Sequence, residues 1–356
     1  MTQKNLTELN LGNSLDNLAN LDPRGYGVCN ILYEASRKYT GYPTSMNAAK
    51  KLVSAVGAGD VVYIMTGFVL RPFKKAEMDG IVSSVLLARA LVKAFDAKPI
   101  IICPTDNLYA VKQLSACVGL HLFEDINELI EIPASMGVIT FTKDASEADS
   151  EAERIINTVM PKAVVSIEAP GANACGVYHN AIGLEVTQLE AKMDVLFEKL
   201  QERGVLNIAI GDLGNEIGMG AIEETLKKYI PYANEGSCKC GCGGGIAVKT
   251  KADNIITATV SDWGCYAMIA ALAYLKEDIE IMHTAELEKD AMICASRSGM
   301  IDMYGWLIPA IDGFGLEINT SIVTLMREMV KSTLSLKQRV KNWFDEVDKL
   351  GYFENR

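Results

Sequence analysis

From residue 60 onward, short apolar runs alternate with longer segments that have one apolar face. The runs are DVVYIMTGF at 60–68, KPIIICP at 98–104, MGVITF at 136–141, KAVVSIEA at 162–169, VLNIAIGD at 205–212 and IITATV at 255–260. After the first run, apolar residues recur every three or four positions over 81–95, which is typical of one face of a helix. Strands that are apolar throughout and alternate with helices predict an α/β fold, with a mostly parallel sheet covered by helices on both faces.

Both ends of the chain carry helical patterns outside this alternation. Residues 1–58 contain a polar leader, a turn at Asp22-Pro23-Arg24-Gly25 and a helical pattern at 45–56. Beyond 318, apolar residues recur at near-heptad spacing: Ile322, Leu325, Met329, Leu336, Val340, Trp343, Val347 and Leu350. We predict a helical segment at 1–58, an α/β domain at 59–318 and a long helix at 319–356. That helix packs on the domain or, alternatively, contacts a second copy in a homodimer.

Composition narrows the class of protein. Hydrophobic residues make up 49% of the 356 residues and charged residues 22%, as in ordinary globular proteins. A net charge of −11 and the lack of a basic block disfavour a nucleic-acid partner. The apolar run at 265–275 is too short to cross a bilayer, and the N-terminus lacks a signal-like apolar core. We expect a cytoplasmic protein with a small-molecule partner and no membrane partner.

Three cysteines are concentrated in one glycine-rich stretch, where Cys238, Cys240 and Cys242 form a C-x-C-x-C pattern. Such a pattern is compatible with binding of a soft metal or with redox chemistry, or with a flexible loop that is rich in cysteine. The three histidines lie far apart without an H-E-x-x-H motif, so a histidine-rich zinc centre is not expected. A structural role is favoured for His179, although it falls in a loop near the predicted strand ends.

Polar side chains follow four of the predicted strands, at the edge where ligands bind in parallel sheets. Thr66 follows the first of these strands, Glu168 the second, and Asp262 the last. The third strand leads into GDLGNEIGMG at 211–220, which contains Asp212, Asn215 and Glu216 among glycines. We predict that these four loops line a single crevice.

The glycine-rich segment combines features that attract opposite charges. Glycines and a helix beginning near 215 would direct N–H groups at an anion, whereas the neighbouring acidic residues would repel it. A zwitterionic substrate resolves this conflict, as does a carboxylate together with a divalent metal held by Asp212 and Glu216. Alternatively, Asp212 or Asn215 caps the following helix, and Ser261 or Asp262 caps the helix after the last strand.

Nucleotide-binding motifs are missing from the glycine-rich segment. Its spacing is G-x-x-G-x-x-x-G-x-G rather than G-x-G-x-x-G, and no Lys-Ser or Lys-Thr follows the glycines. G-x-S-x-G is also absent from the chain. We therefore expect no nucleotide cofactor.

Over roughly residues 60–275 the motifs resemble the D-glutamate cyclase family. The resemblance rests on TGF at 66–68, Asp79-Gly80, LARAL at 87–91, SIEAPG at 166–171, Tyr178 with Asn180, GDLGNEIGMG at 211–220 and SDWGCYA at 261–267. The chain departs from the family pattern at Ala169, where the family has arginine, at Leu213, where it has glycine, and at Asp262, where it has asparagine. The cysteine-rich stretch has no counterpart in that pattern.

The resemblance implies a carbon–oxygen lyase that reversibly dehydrates D-glutamate to 5-oxo-D-proline. It implies Glu216 or Asp212 as general base or metal ligand, and Glu168 as the second carboxylate. The remaining expected substrate-binding groups are the backbone of Gly211, Gly214 and Gly218, with Asn215, Tyr178, Asn180, Asp262, Thr66 and Asp79, and Arg71 in place of the missing arginine. Alternatives are a lyase or hydrolase acting on another amino acid or lactam, and a non-catalytic binder of a small acidic metabolite or metal.

Overall fold

The computed structural model describes residues 3–336, 347 and 349–351. Its strands are β1 (Val61–Thr66), β2 (Val69–Leu70), β3 (Lys75–Ala76), β4 (Lys98–Cys103), β5 (His121–Phe123), β6 (Ser135–Thr140), β7 (Ala163–Ile167), β8 (Leu206–Gly211) and β9 (Asn254–Thr257). Within the described residues, seven of these strands form a parallel sheet in the order β5-β6-β4-β1-β7-β8-β9, and β2 pairs antiparallel with β3.

Helices connect the strands and extend the fold at both ends. They are α1 (Gln3–Ala19), α2 (Val28–Thr40), α3 (Thr44–Ala55), α4 (Ile81–Phe95), α5 (Thr105–Cys117), α6 (Ile126–Glu131), α7 (Ala148–Thr158), α8 (Met193–Glu202), α9 (Glu223–Tyr229), α10 (Ser261–Leu275), α11 (Ala285–Arg297) and α12 (Leu316–Leu336). The predicted α/β class is therefore confirmed.

The central strand shows how both faces of the sheet are covered. Val62 and Ile64 of β1 belong to a core shared with α1, α3, α4, α10 and α12. Tyr63 and Met65 point to the opposite face and pack with residues of α7 and α8. Successive side chains of a strand alternate between faces, so a strand buried on both sides must be apolar at every position. This explains the uninterrupted apolar runs in the sequence.

The strand order places a crevice at the middle of the sheet. The chain runs from β1 to its neighbour β4 and outward, and then returns to the other side of β1 with β7. Such a reversal opens a gap between the loops that leave the carboxyl ends of the strands. The loops after β1 and β7 flank this gap, and the loops after β8 and β9 follow on the same edge.

Helix α10 contains the longest apolar run of the sequence and is buried along almost its whole length. It packs against α1, α3, α4 and α12, so its apolar residues form part of the core. None of the helices in the described part of the chain is both long enough and apolar enough to cross a bilayer.

Some sequence-based expectations differ from the structure, and others concern residues outside the described part of the chain. The helix expected near 215 begins at Glu223, after a short 3-10 turn at Gly220–Ile222. The terminal helix is described only as far as Leu336, and Val340 and Trp343 lie outside the described residues. Of its expected core positions Ile322 is buried, whereas Leu325 is 49% exposed. The domain boundaries at 58/59 and 318/319, and the homodimer, stay predictions.

Gly218 provides a test of packing beside the crevice. A Cβ atom there would lie 2.4 Å from Ala209 Cβ, at a φ of +92°. We expect Gly218→Ala to lower the free energy of unfolding by about 3 kcal/mol, from strain and overpacking together. Gly119→Ala, at φ +78° with open space around it, should cost only about 1–2 kcal/mol. Urea unfolding measures both values, and equal losses would contradict the packing argument.

Candidate active site at the carboxyl ends of the strands

Carboxylates from four loops converge at the carboxyl edge of the sheet. Asp212, which follows β8, has a carboxylate oxygen within 4.8 Å of oxygens of Glu168 and Glu216. It also lies within the same distance of Asp79 and Asp312. Asp212, Glu168 and Asp79 are each at most 6% exposed. The structure thus brings together the three predicted catalytic carboxylates and adds Asp312, which the sequence analysis missed.

Asp79 and Asp262 tie two helix N-termini to each other. Asp79 accepts hydrogen bonds from the backbone N–H groups of Ser261 and Asp262, at 3.2 and 3.0 Å, where α10 begins. Asp262 Oδ1 accepts from the N–H groups of Gly80 and Ser83, at 2.9 and 3.2 Å, where α4 begins. Each carboxylate therefore caps the helix that the other one starts. The alternative that Asp262 caps its own helix is wrong, because its side chain reaches across to α4.

Glu216 occupies the ring of amides that the glycine-rich segment forms. Its carboxylate accepts hydrogen bonds from the N–H groups of Asp212, Leu213 and Gly214, at 3.1, 2.8 and 2.7 Å. A Cβ on Gly211 would lie 2.8 Å from Glu216 Cδ, so glycine is needed there to admit this side chain. These amides were expected to bind a substrate carboxylate. Because Glu216 already engages these three N–H groups, that of Gly214 is not free for the expected role, whereas the expected roles of Gly211 and Gly218 stay predictions.

Glu168 is held at the end of β7 in an unusual backbone conformation. Its φ is +45°, a left-handed value that side-chain-bearing residues rarely adopt. The Ser261 hydroxyl donates to Glu168 Oε2 at 2.6 Å. A Cβ on Gly80 would lie 2.7 Å from both Glu168 Cβ and Thr66 Oγ1, so this glycine allows the two strand ends to meet. Within the described residues Thr66 Oγ1 is buried without a hydrogen-bond partner.

Burial and mutual repulsion raise the pKa values of this cluster and so favour its protonated forms. Burial raises the pKa of Asp212 well above its ordinary 3.8, and the nearby charges of Glu168 and Asp312 raise it further. Burial likewise raises the pKa of Glu168 well above 4.5, with Glu216 the next cause. The pKa of Asp262 rises to about 8, mainly through burial. Such perturbed carboxyl groups in one place are typical of sites that transfer protons.

Arg24 is a cation that the sequence analysis did not assign to the site. It lies in the connection between α1 and α2, and its Nη2 donates to Asp312 Oδ2 at 2.8 Å and to the Asp312 carbonyl at 2.7 Å. Burial lowers the pKa of Arg24, but the charges of Asp312, Asp212 and Asp79 raise it above its ordinary value overall. Its sequence context indicated only a turn. Arg71, the expected cation, is exposed in the β2–β3 connection.

Tyr178 and Asn180 have partners of their own in the connection after β7. The Tyr178 hydroxyl donates to Asp194 Oδ1. Asn180 Oδ1 accepts from the N–H of Leu184 at 2.9 Å and so closes a turn. Asn215 Nδ2 donates to the carbonyl of His179 at 3.0 Å, whereas Asn215 Oδ1 is buried without a partner in the described part of the chain. Of the expected orienting residues, Asn215 therefore keeps an available atom.

A chain of buried polar groups leads from Asp262 into the core, and the sequence did not suggest it. Tyr266, one turn along α10, has its hydroxyl 3.5 Å from Asp262 Oδ2 and donates to Glu288 Oε1 at 2.9 Å. His283 Nε2 lies 3.2 Å from Glu288 Oε2. These residues link the site to α11. Cys238, Cys240 and Cys242 lie elsewhere, in a second cluster beside His179.

The charge cluster implies a definite dependence of stability on pH. Because the folded protein holds protons that the unfolded chain loses near pH 3.8, its free energy of unfolding should fall as pH rises from there towards the Asp262 pKa of about 8. Asp212→Asn cannot ionise, so we expect it to stabilise the ligand-free protein by about 1–3 kcal/mol near pH 8 and less near pH 4. Urea unfolding across this range measures the effect. The exposed Glu131→Gln should change neither value, and a wild-type protein that gains stability as pH rises would contradict the account.

Comparison with known proteins identifies the family of the chain. Residues 15–327 match the family described as D-glutamate cyclase-like, C-terminal. A human protein, "D-glutamate cyclase, mitochondrial", is 34% identical over 113 residues, covering 32% of this chain and 17% of that protein. The chain therefore aligns with only a small part of the human relative. Since the family match extends over most of the chain, including every strand of the sheet, the protein belongs to the D-glutamate cyclase-like family.

Proposed function

We propose that the protein is a carbon–oxygen lyase that converts D-glutamate reversibly to 5-oxo-D-proline and water. One observation carries the proposal. Among the described residues, four carboxylates place an oxygen within 4.8 Å of one of Asp212, namely those of Asp79, Glu168, Glu216 and Asp312, and Arg24 is the neighbouring cation. Carboxyl groups buried this close together ionise readily only when a positive partner joins them. The α-ammonium group of an amino acid is such a partner, and the family resemblance selects D-glutamate.

Asp212 is the group best suited to receive the ammonium proton. Its Oδ1 is buried and has no hydrogen-bond partner among the described residues. Its raised pKa brings its proton affinity closer to that of an amine, which helps a carboxylate act as general base. Glu216 serves Asp212 indirectly, because its carboxylate holds the N–H of Asp212 in place.

The reaction joins the substrate nitrogen to its γ-carboxyl carbon and breaks a carbon–oxygen bond there. Two protons leave the nitrogen, and the departing oxygen takes up two to become water. Asp212 accepts one proton, and Glu168, whose protonated form is favoured by burial, donates one to the departing oxygen. Glu168 then takes the second proton from the nitrogen and Asp212 passes its proton to the departing oxygen, so both carboxyl groups return to their starting states. The Ser261 hydroxyl holds Glu168 in position throughout.

Arg24 takes the role that the family arginine, replaced here by Ala169, would have. Glu216 engages the N–H groups of Asp212, Leu213 and Gly214, so the substrate carboxylates need a cation elsewhere. Arg24 lies beside Asp312 and is exposed over 23% of its side chain. Binding the substrate in a curled geometry brings the amine onto the γ-carboxyl carbon, and such positioning is worth an effective molarity of about 10⁵ M or more.

A divalent metal is the second way to balance the carboxylates. Asp79, Asp212 and Asp312 offer hard oxygen ligands of the kind that Mg²⁺ and Mn²⁺ prefer. Loss of turnover on chelation, with recovery on adding Mg²⁺ or Mn²⁺, would favour this arrangement. Turnover of another amino acid or lactam, or binding without turnover, would favour the remaining alternatives. The cytoplasmic location stays a prediction, and the human relative is described as mitochondrial.

Asp212→Asn tests the base directly. We expect it to lower kcat for ring closure of D-glutamate by about 10²–10⁴-fold, because asparagine cannot take the ammonium proton. Liquid chromatography of the 5-oxoproline formed measures the rate. The exposed Glu131→Gln is the matched control and should keep the wild-type rate. A folded Asp212→Asn protein that is as fast as wild type would remove this role.

Arg24→Gln tests the substitute cation. Removing one charged hydrogen-bonding partner of the substrate carboxylate should raise KM for D-glutamate by about tenfold or more. The effect on kcat should be smaller, since Arg24 binds the substrate without exchanging protons. Arg71→Gln, which removes the exposed arginine, is the matched control and should leave KM unchanged. The reverse pattern, with KM raised only in Arg71→Gln, would assign the role to Arg71.

A further inference from the structure

Four potential metal ligands come together where two loops meet. The sulfur of Cys238 lies 3.6 Å from that of Cys240 and 3.5 Å from that of Cys242. His179 Nε2 lies 3.1 Å from Cys240 Sγ and 3.7 Å from Cys242 Sγ. All four ligand atoms lie within 4.8 Å of one another. A disulfide would need a sulfur–sulfur distance of about 2.05 Å, and all three cysteines are free.

We propose that Cys238, Cys240, Cys242 and His179 bind one zinc ion. A tetrahedral zinc ion has Zn–S bonds of about 2.3 Å and Zn–N bonds of about 2.0–2.1 Å. From these lengths, neighbouring sulfurs should be about 3.8 Å apart, and sulfur and nitrogen about 3.6 Å apart. The observed separations of 3.1–3.7 Å lie close to these expected distances between ligand atoms. An ion therefore fits at the centre of the four ligands after small movements of their side chains.

Hydrogen bonds to the sulfurs support a thiolate site. Asn173 Nδ2 and the N–H of Gly244 approach Cys242 Sγ at 3.3 and 3.4 Å. The backbone N–H groups of Gly245 and Cys240 donate to Cys238 Sγ. Metal-bound thiolates commonly accept such bonds, which orient the ligand and spread its charge. These contacts give the cluster an outer shell of donors.

The ligand types select the metal and its role. Three thiolates and an imidazole are soft ligands that suit zinc, whereas the oxygen cluster around Asp212 suits hard cations. Four protein ligands fill a tetrahedron and leave no position for a substrate, which is typical of a structural zinc site. The zinc would therefore stabilise the fold rather than take part in the reaction.

The zinc site would connect two loops that lie against the glycine-rich segment at 211–220. His179 belongs to the connection after β7, and its carbonyl holds Asn215. The cysteine loop also bonds to that connection directly, through the N–H of Lys239 and the carbonyl of Gly183 at 2.8 Å. It continues into residues 248–252, where the N–H of Val248 approaches the Gly214 carbonyl at 3.4 Å. A zinc ion would join both loops beside the segment that carries Asp212.

Metal content of the full-length protein tests the proposal. We expect about one zinc per chain by mass spectrometry, and about a tenfold lower content in Cys240→Ser after dialysis against a chelator. Cys175→Ser removes a neighbouring exposed cysteine outside the four ligands and should keep the zinc. A Cys240→Ser protein that holds zinc as firmly as wild type would overturn the assignment.

Cobalt substitution of the wild-type chain makes the test independent of whether variants fold. Co²⁺ should give the charge-transfer band of several thiolates and the intense visible bands of tetrahedral geometry. A folded wild-type chain that takes up neither zinc nor cobalt, or that carries iron instead, would refute a zinc site. Because neither measurement involves turnover, a protein that binds zinc but does not cyclise D-glutamate would contradict only the proposed function.

Discussion

The N-termini of α4 and α10 meet at the carboxyl edge of the sheet. Asp79, which precedes α4, caps α10, and Asp262, at the start of α10, caps α4. This exchange between Asp79 and Asp262 connects the loops that follow β1 and β9, which lie apart in the sheet with β7 and β8 between them. The loops of the two intervening strands are thereby enclosed, and they carry Glu168 and Asp212. The geometry of the site depends on these crossed caps, because they set how closely its walls approach.

The same arrangement concentrates acidic groups where water is largely excluded. Burial and repulsion raise the pKa of Asp212 and of Glu168, so the ligand-free fold carries an electrostatic cost. Hydrophobic burial on both faces of the sheet opposes that cost. A cationic group that binds here relieves the repulsion, so the electrostatic cost contributes to the affinity for such a group. Under the proposed function, one set of charges therefore governs both the stability of the fold and its affinity for substrate.

Much of this architecture could be predicted from the sequence, because it follows from local pattern. Apolar runs predicted the strands, and the parallel arrangement predicted that Glu168, Asp212 and Glu216 would share one edge. What could not be predicted depends on contacts between distant segments. Asp262 caps a helix 182 positions away, and Arg24 reaches the site from the N-terminal segment. Likewise, the three histidines are scattered along the sequence, so nothing in it indicated that His179 lies beside the cysteines.

The central claim is that the buried carboxylates form a receptor for an ammonium group. Titration calorimetry with D-glutamate and with glutarate, which has the same carboxylates but no amine, tests this claim most directly. The account predicts that D-glutamate binds with a measurable heat and that glutarate, under the same conditions, binds at least about a hundredfold more weakly, a difference of about 2.7 kcal/mol. Equal affinity for the two compounds would contradict it, because the cluster would then make no use of the positive charge.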